Sequence, residues 1–175
     1  AGVVRIEGDD IRLEGGTHID ATGAMGGGTV LVGGDWQGSG TMQQAARVFM
    51  SADSAIDASA TDFGHGGKVV MWSDVHNIDG LTTVQGRIDA KGGVNGGNGG
   101  QVETSGHSLD FARFRLDARA PKGTDGLWLI DPTDVTVDAS RASSIVAGLA
   151  SAQVQVVTDG DIVISADITT DTNNH

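Results

Sequence analysis

Four aspartates occupy one recurring place in this sequence. Asp20, Asp57 and Asp89 each sit in an Ile-Asp-Ala tripeptide, at 19–21, 56–58 and 88–90, and Asp117 sits in Leu-Asp-Ala at 116–118. Carboxylates brought into line can hydrolyse glycosidic bonds, which needs two carboxyl groups about 5–9 Å apart. An active site occurs once, however, whereas these residues recur. Recurrence favours a structural role, with each side chain bonding its own backbone in a turn.

Other groups offer other chemistry. In Asp131-Pro132 an aspartyl carboxylate can attack its own carbonyl carbon, with the proline nitrogen as leaving group and Asp134 nearby as acid or base. The competing reading is a kink, because proline cannot donate to a strand ladder. Acidic loops at Asp9-Asp10, Asn95–Gly99 and Thr158–Asp161 offer hard oxygen ligands, so Asp159 and Asp161 are the first places to seek calcium. Neither an EF-hand loop nor the Gly-rich nonapeptide is matched, and no cofactor is otherwise expected. His18, His65, His76, His107 and His175 show no His-x3-His spacing; His65 and His107 fall at corresponding ends of repeats and are expected to approach each other. Ser105 and His107 lack the GxSxG turn of a nucleophile. Trp36, Trp72 and Trp128 each follow a Gly-Gly or Asp-Gly strand. They are expected to pack as a stack or along one edge, with sugar stacking as the alternative.

The elements that position these groups repeat. Downstream of each tripeptide, glycine leads into an apolar strand: GGTVLVGGD from Gly27, GGKVVMWSD from Gly66, GGQVETSGH from Gly99 and DGLWLIDPTD from Asp125. The aspartates are spaced 57 − 20 = 37, 89 − 57 = 32 and 117 − 89 = 28 residues apart. A fixed motif with drifting spacing implies a fixed scaffold with loops of variable length. Val4/Ile6, Ile11/Leu13, Val30/Val32, Phe114/Leu116, Val135/Val137 and Ile162/Ile164 alternate with period two, the signature of short strands. Met42–Met50 is equivocal between a helical turn and a strand. Ser143–Ala152 reads as a short helix capped by Ser143 or Ser144, with Ile145, Leu149 and Ala152 on one face and Gly148 counting against it.

A unit of this size cannot bury its apolar face alone, but successive units can pair strand upon strand. The expected fold is therefore all-β, a parallel β-solenoid. Repeats of roughly 20–25 residues would give about 7–8 layers. Residues 1–134 hold the repeats; 135–175 read as a C-terminal β segment of different repeat type, a cap or the start of another domain. The glycines are expected at corners that need positive φ and in loops that lie tightly against the stack. A β-sandwich gives no reason for a motif repeated four times.

Composition bounds the rest. The chain has 175 residues, 28 of them glycine, no cysteine and a formal net charge of −12, which excludes disulfide chemistry and argues against a nucleic-acid partner. No apolar run approaches the ~20 residues that cross a bilayer, so membrane insertion is not expected. A hydrophobic fraction of 38%, rich in β-branched residues, argues against disorder. The start at Ala1, without a signal peptide, suggests a piece of a longer polypeptide.

Several segments together resemble one family. GGTVLVGGDWQG (from Gly27), SAIDASATDFGHGGKVVMWSD (from Ser54), GRIDAKGGVNGGNGGQVETSGH (from Gly86) and GLWLIDPTDVTVDAS (from Gly126) are similar to repeats of the filamentous haemagglutinins and related high-molecular-weight adhesins exported by two-partner secretion. The resemblance covers roughly residues 1–140. It implies a right-handed parallel β-helix, secreted to the surface of a Gram-negative bacterium, working in adhesion or aggregation without catalysis. It also implies a cell-surface receptor or glycan as partner, and an outer-membrane transporter for the full-length protein. The Asn-Pro motifs of that family's secretion domain are missing, so this is expected to be interior or C-terminal shaft. None of Asn77, Asn95, Asn98, Asn173 and Asn174 starts a glycosylation sequon. Two functions compete with the adhesin reading: self-processing at Asp131-Pro132, and a β-helix enzyme acting on polysaccharide, which a non-repeated carboxylate cluster with Lys or Arg on one face would favour.

Overall fold

A computed structural model describes residues 1–170; Asn173, Asn174, His175 and the end of the 135–175 segment lie outside the described residues. Strands alternate with turns in a regular order. The first repeat supplies β1 (Val3–Ile6), β2 (Asp10–Leu13) and β3 (His18–Asp20). The next three supply β4 (Thr29–Val32), β5 (Arg47–Met50) and β6 (Ala55–Asp57); β7 (Lys68–Trp72), β8 (Leu81–Val84) and β9 (Arg87–Asp89); and β10 (Gln101–Gly106), β11 (Ser108–Asp110) and β12 (Arg115–Asp117). Met42–Met50 thus ends in a strand, as its place in the repeat requires.

Each strand pairs in parallel with its counterpart in the neighbouring repeat. This yields a six-stranded first sheet, β1-β4-β7-β10-β13-β15, with β13 at Gly126–Pro132 and β15 at Ala152–Val156. The second sheet is β2-β5-β8-β11 and the third β3-β6-β9-β12. Paired positions in the first sheet lie from 29 − 3 = 26 to 68 − 29 = 39 residues apart. The first sheet therefore has six layers rather than seven or eight. The reason is that loops such as 33–46 lengthen each repeat beyond what short strands alone suggest.

The core lies between the three sheets. Val30, Val69, Val102 and Trp128 form one inward column of the first sheet, all fully buried. Ile19, Ile56, Ile88 and Leu116 form the corresponding column of the third. Beside Trp128, Phe111 and Phe114 pack edge-on, with ring centroids 5.6 and 4.9 Å away.

The corner glycines are required for close approach, not for positive φ. Gly28, Gly67, Gly100 and Gly126 each donate an N–H to the alanine that ends the tripeptide of the same repeat, at 2.7–2.8 Å. None of the four has a left-handed φ. A Cβ on Gly67 would instead fall on the carbonyl oxygen of Gly28, and one on Gly100 on that of Gly67. The column admits only hydrogen where one repeat crosses the next.

Past Pro132 the pattern changes. β15 continues the first sheet, but β14 (Val135–Val137) pairs with β16 (Ile162–Ile164) rather than with β11. A helix, α1 (Ala139–Leu149), packs beside β12. It starts earlier than Ser143, because Asp138 is the cap and accepts the Arg141 N–H at 2.9 Å. Its buried residues are Ala142, Ser144, Ile145 and Gly148, while Leu149 is exposed and Ala152 belongs to β15. Gly148, unfavourable by propensity, lies against Trp128, where a Cβ would come within 2.9 Å of the ring. Among the described residues no helix is long and apolar enough to cross a membrane.

Candidate functional site

Two polar regions answer to the residues singled out in the sequence. The first is the aspartate column on the third sheet. Asp20, Asp57, Asp89 and Asp117 stand directly in register. Three accept the backbone N–H two residues on: Thr22 to Asp20 at 2.8 Å, Ser59 to Asp57 at 2.9 Å and Arg119 to Asp117 at 3.3 Å. Asp89 is held by the Arg87 guanidinium at 2.8–2.9 Å. The N–H of Lys91 goes to the Ser59 hydroxyl instead.

Exposure falls along this column, from an open Asp20 to an Asp117 that is 7% exposed. The acidities follow the environment. The Thr22 N–H holds the Asp20 carboxyl below the ordinary range. Burial pushes Asp89 up, against the pull of Arg87. Burial pushes Asp117 up too, but the hydrogen bonds and charge of Arg119 outweigh it, and this carboxyl lies low. A groove of about 540 Å³ runs beside the column, walled by Lys91, Arg119, Pro121 and Asp125. Asp125 is itself occupied, accepting the Ala120 N–H at 2.8 Å.

The second region is the outer face of the first sheet, and it does not repeat. Leu31, Val70, Glu103 and Leu129 share one outward column; Trp72, Ser105 and Asp131 share the next. The segment 33–44 folds over this face, with a single tight turn at Trp36–Gly38. Glu103 is fully buried beneath it. Both carboxylate oxygens accept the N–H of Gln37, at 3.1 and 2.9 Å, and one also accepts the Ser105 hydroxyl at 3.0 Å. Burial pushes the Glu103 carboxyl up to about 7; the Gln37 and Ser105 bonds oppose this, the charge of Asp131 adds to it and Lys68 works against it. Asp131, half-buried, is raised by burial and by the charge of Asp159.

The tryptophans do not form the expected stack. Trp128 pairs with Val102 and points inward, whereas Trp72 pairs with Ser105 on the outer face, and Trp36 lies in the covering turn. Trp72 is four positions from Lys68, but Trp128 is one from its counterpart Leu127. Odd and even offsets place them on opposite faces. His65 and His107 also stay apart in their bonding. The His65 Nδ1 accepts the Asn98 N–H, while the His107 ring meets the Val75 carbonyl.

Asp131 and Pro132 lie inside β13, and the peptide between them is trans. Asp134 accepts the Asp161 N–H at 2.7 Å, which ties the turn holding Asp159 and Asp161 to the end of β13. Among the described residues no three His, Asp or Glu side chains converge as a metal would require.

Glu103 is the residue that the sequence reading missed. Its neighbours Val102 and Thr104 point inward, so simple alternation leaves it facing solvent. A signal was present nonetheless. Aligned on their glycines, TVLV, KVVM and LWLI carry Leu31, Val70 and Leu129 where QVET carries Glu103. A glutamate flanked by apolar residues on both sides of an outward column, which only Arg5 and Gln155 at its two ends otherwise interrupt, marks a place of its own. Comparison with known proteins adds no assignment: no family model matches the chain, and no curated protein matches it significantly.

Proposed function

We propose that this chain is a shaft segment of a large secreted bacterial adhesin, contributing stiffness and surface to attachment or aggregation rather than catalysis. In this reading the parallel sheets wind as a right-handed β-helix. One observation carries the proposal. The four recurrent carboxylates are consumed by the scaffold, three capping backbone N–H groups and the fourth held by an arginine. Each therefore has a local structural task that recurs with the repeat, as a scaffold residue does and a single active site does not. The resemblance of residues 1–140 to filamentous haemagglutinin repeats points the same way. It supplies the expected setting: the surface of a Gram-negative bacterium, with a host or bacterial receptor or glycan as partner.

A polysaccharide-active enzyme is the competing reading. Glu103, Asp131 and Lys68 form a non-repeated group on the outer face of the first sheet, where the segment 33–44 covers Glu103. The deciding experiment pairs two assays. Attachment to epithelial cells and to a glycan array is measured for the longer polypeptide with and without this segment, and reducing ends released from a polysaccharide panel are measured for the chain. Loss of attachment or reach on deletion, with no turnover, is the expected result. Turnover abolished by Glu103→Gln would sink the adhesin reading in favour of the enzyme.

A further inference from the structure

We propose that the segment 33–44 is a pH-governed strap over the outer face of the first sheet, latched by the ionisable carboxyl of Glu103. The strap has no strand of its own and joins no sheet. It is pinned at its start, where the Gly33 N–H donates to the Ile6 carbonyl at 3.0 Å, and Trp36 and Met42 pack on the apolar residues beneath it. Its other attachments to the first sheet involve side chains. The Gln37 N–H bonds both oxygens of Glu103. The Lys68 ammonium lies 5.0 Å from the centre of the Trp36 ring. The Trp72 indole N–H donates to the Gln44 side chain at 3.1 Å, and that side chain donates onward to the Gly38 carbonyl at 3.3 Å. Gln37 has φ 52, a left-handed conformation rare for a residue with a side chain. The strain sits where the strap meets the buried carboxyl. Beneath the strap lie Leu31, Val70 and Trp72, an apolar cluster separate from the main core.

The charged groups facing Glu103 come from two neighbouring strands, Lys68 on β7 and Asp131 on β13. Asp159 acts on Asp131 from the loop after β15, and Asp35 lies within the strap itself. The sign follows from linkage. The closed strap holds the Glu103 carboxyl near 7, whereas a solvated glutamate ionises near 4.5. Protonation therefore favours closure. Across the interval from 4.5 to about 7 the closing equilibrium weakens by up to tenfold per unit, with a limit of roughly 300-fold and about 100-fold between pH 5 and pH 8. Above that range it is flat. The strap conceals Leu31, Val70 and Trp72 in mildly acid solution and releases them at neutral to alkaline pH.

Hydrogen exchange of the intact chain at pH 5 and pH 8, normalised to intrinsic exchange rates, tests this directly. The expected result is a loss of protection of roughly 100-fold in peptides spanning 33–44, with the interior strand β10 unchanged. Glu103→Gln is expected to remove the difference between the two pH values. Equal normalised protection at both pH values overturns the proposal, as does a Glu103→Gln variant that keeps the wild-type pH dependence. Should that variant not fold, the wild-type chain carries the test alone: protection of 33–44 followed in half-unit steps from pH 4 to pH 8 must fall steadily while β10 holds, and a flat profile overturns the latch.

Discussion

The aspartate column and the outer face of the first sheet are both built from strands in parallel register, yet they treat carboxylates in opposite ways. In the column, Asp20, Asp57, Asp89 and Asp117 stand at the same place in four repeats. Each is satisfied by a donor close in sequence, two residues away in every case. On the outer face Glu103 stands once, fully buried, and its principal donor Gln37 lies 66 residues away. A locally satisfied carboxylate needs nothing beyond its own turn, so it can be copied from repeat to repeat. A carboxylate satisfied across repeats depends on one inserted loop and cannot be copied. Repetition therefore marks scaffold, and a break in repetition marks the place where something particular is built.

Four substitutions would break or sharpen this comparison. The largest effect is expected at the corner that every repeat shares. Gly67→Ala puts a methyl group on the Gly28 carbonyl, with backbone on both sides, and should cost about 4 kcal/mol or more. Urea unfolding would show it as a much lower midpoint or as failure to fold. Ile56→Ala empties a position that is 1% exposed in the column core and should cost about 3 kcal/mol, read from the same titration.

On the other face the sign reverses. Glu103→Gln should stabilise the chain at pH 8 by about 2 kcal/mol, because the buried charge is removed while the acceptor for Gln37 is kept. The gain should vanish in acid. The Glu103 carboxyl is raised in the fold, so its contribution is fully present below pH 4.5 and is lost as pH rises through about 7. Thermal unfolding from pH 4 to pH 8 would give diverging curves for wild type and variant; parallel curves would remove the distinction between the two faces. The smallest effect belongs to Asp57→Ala, which forfeits one hydrogen bond to Ser59 N–H and should cost about 1 kcal/mol. A loss several times larger would mean that the column is more than local turn chemistry.

Much of the scaffold could be read along the chain because its causes are local. The copies at 19–21, 56–58, 88–90 and 116–118 do pair in register, since alternation and a recurring corner leave each strand one way to face. Both roles expected of the glycines are present, positive φ at residues such as Gly33 and Gly38 and tight packing against the stack at the corners, though which backbone each corner meets is revealed only by the fold. The helix was visible near 143–152, whereas its start was not. Asp138 caps it, and the Gly148 that argued against it is demanded by Trp128.

The sequence by itself determined the repeating unit: strands with period two, glycine at its corners, and aspartates bonded within their own turn. Strand period and turn bonding depend on residues within a few positions of one another. Tertiary structure alone decided the parity that sends Trp72 outward and Trp128 inward, the burial of Glu103 and the strap above it. Those features depend on which insertion lies over which strand. Loop lengths that drift from repeat to repeat do not encode that choice, and burial free energy between distant segments settles it.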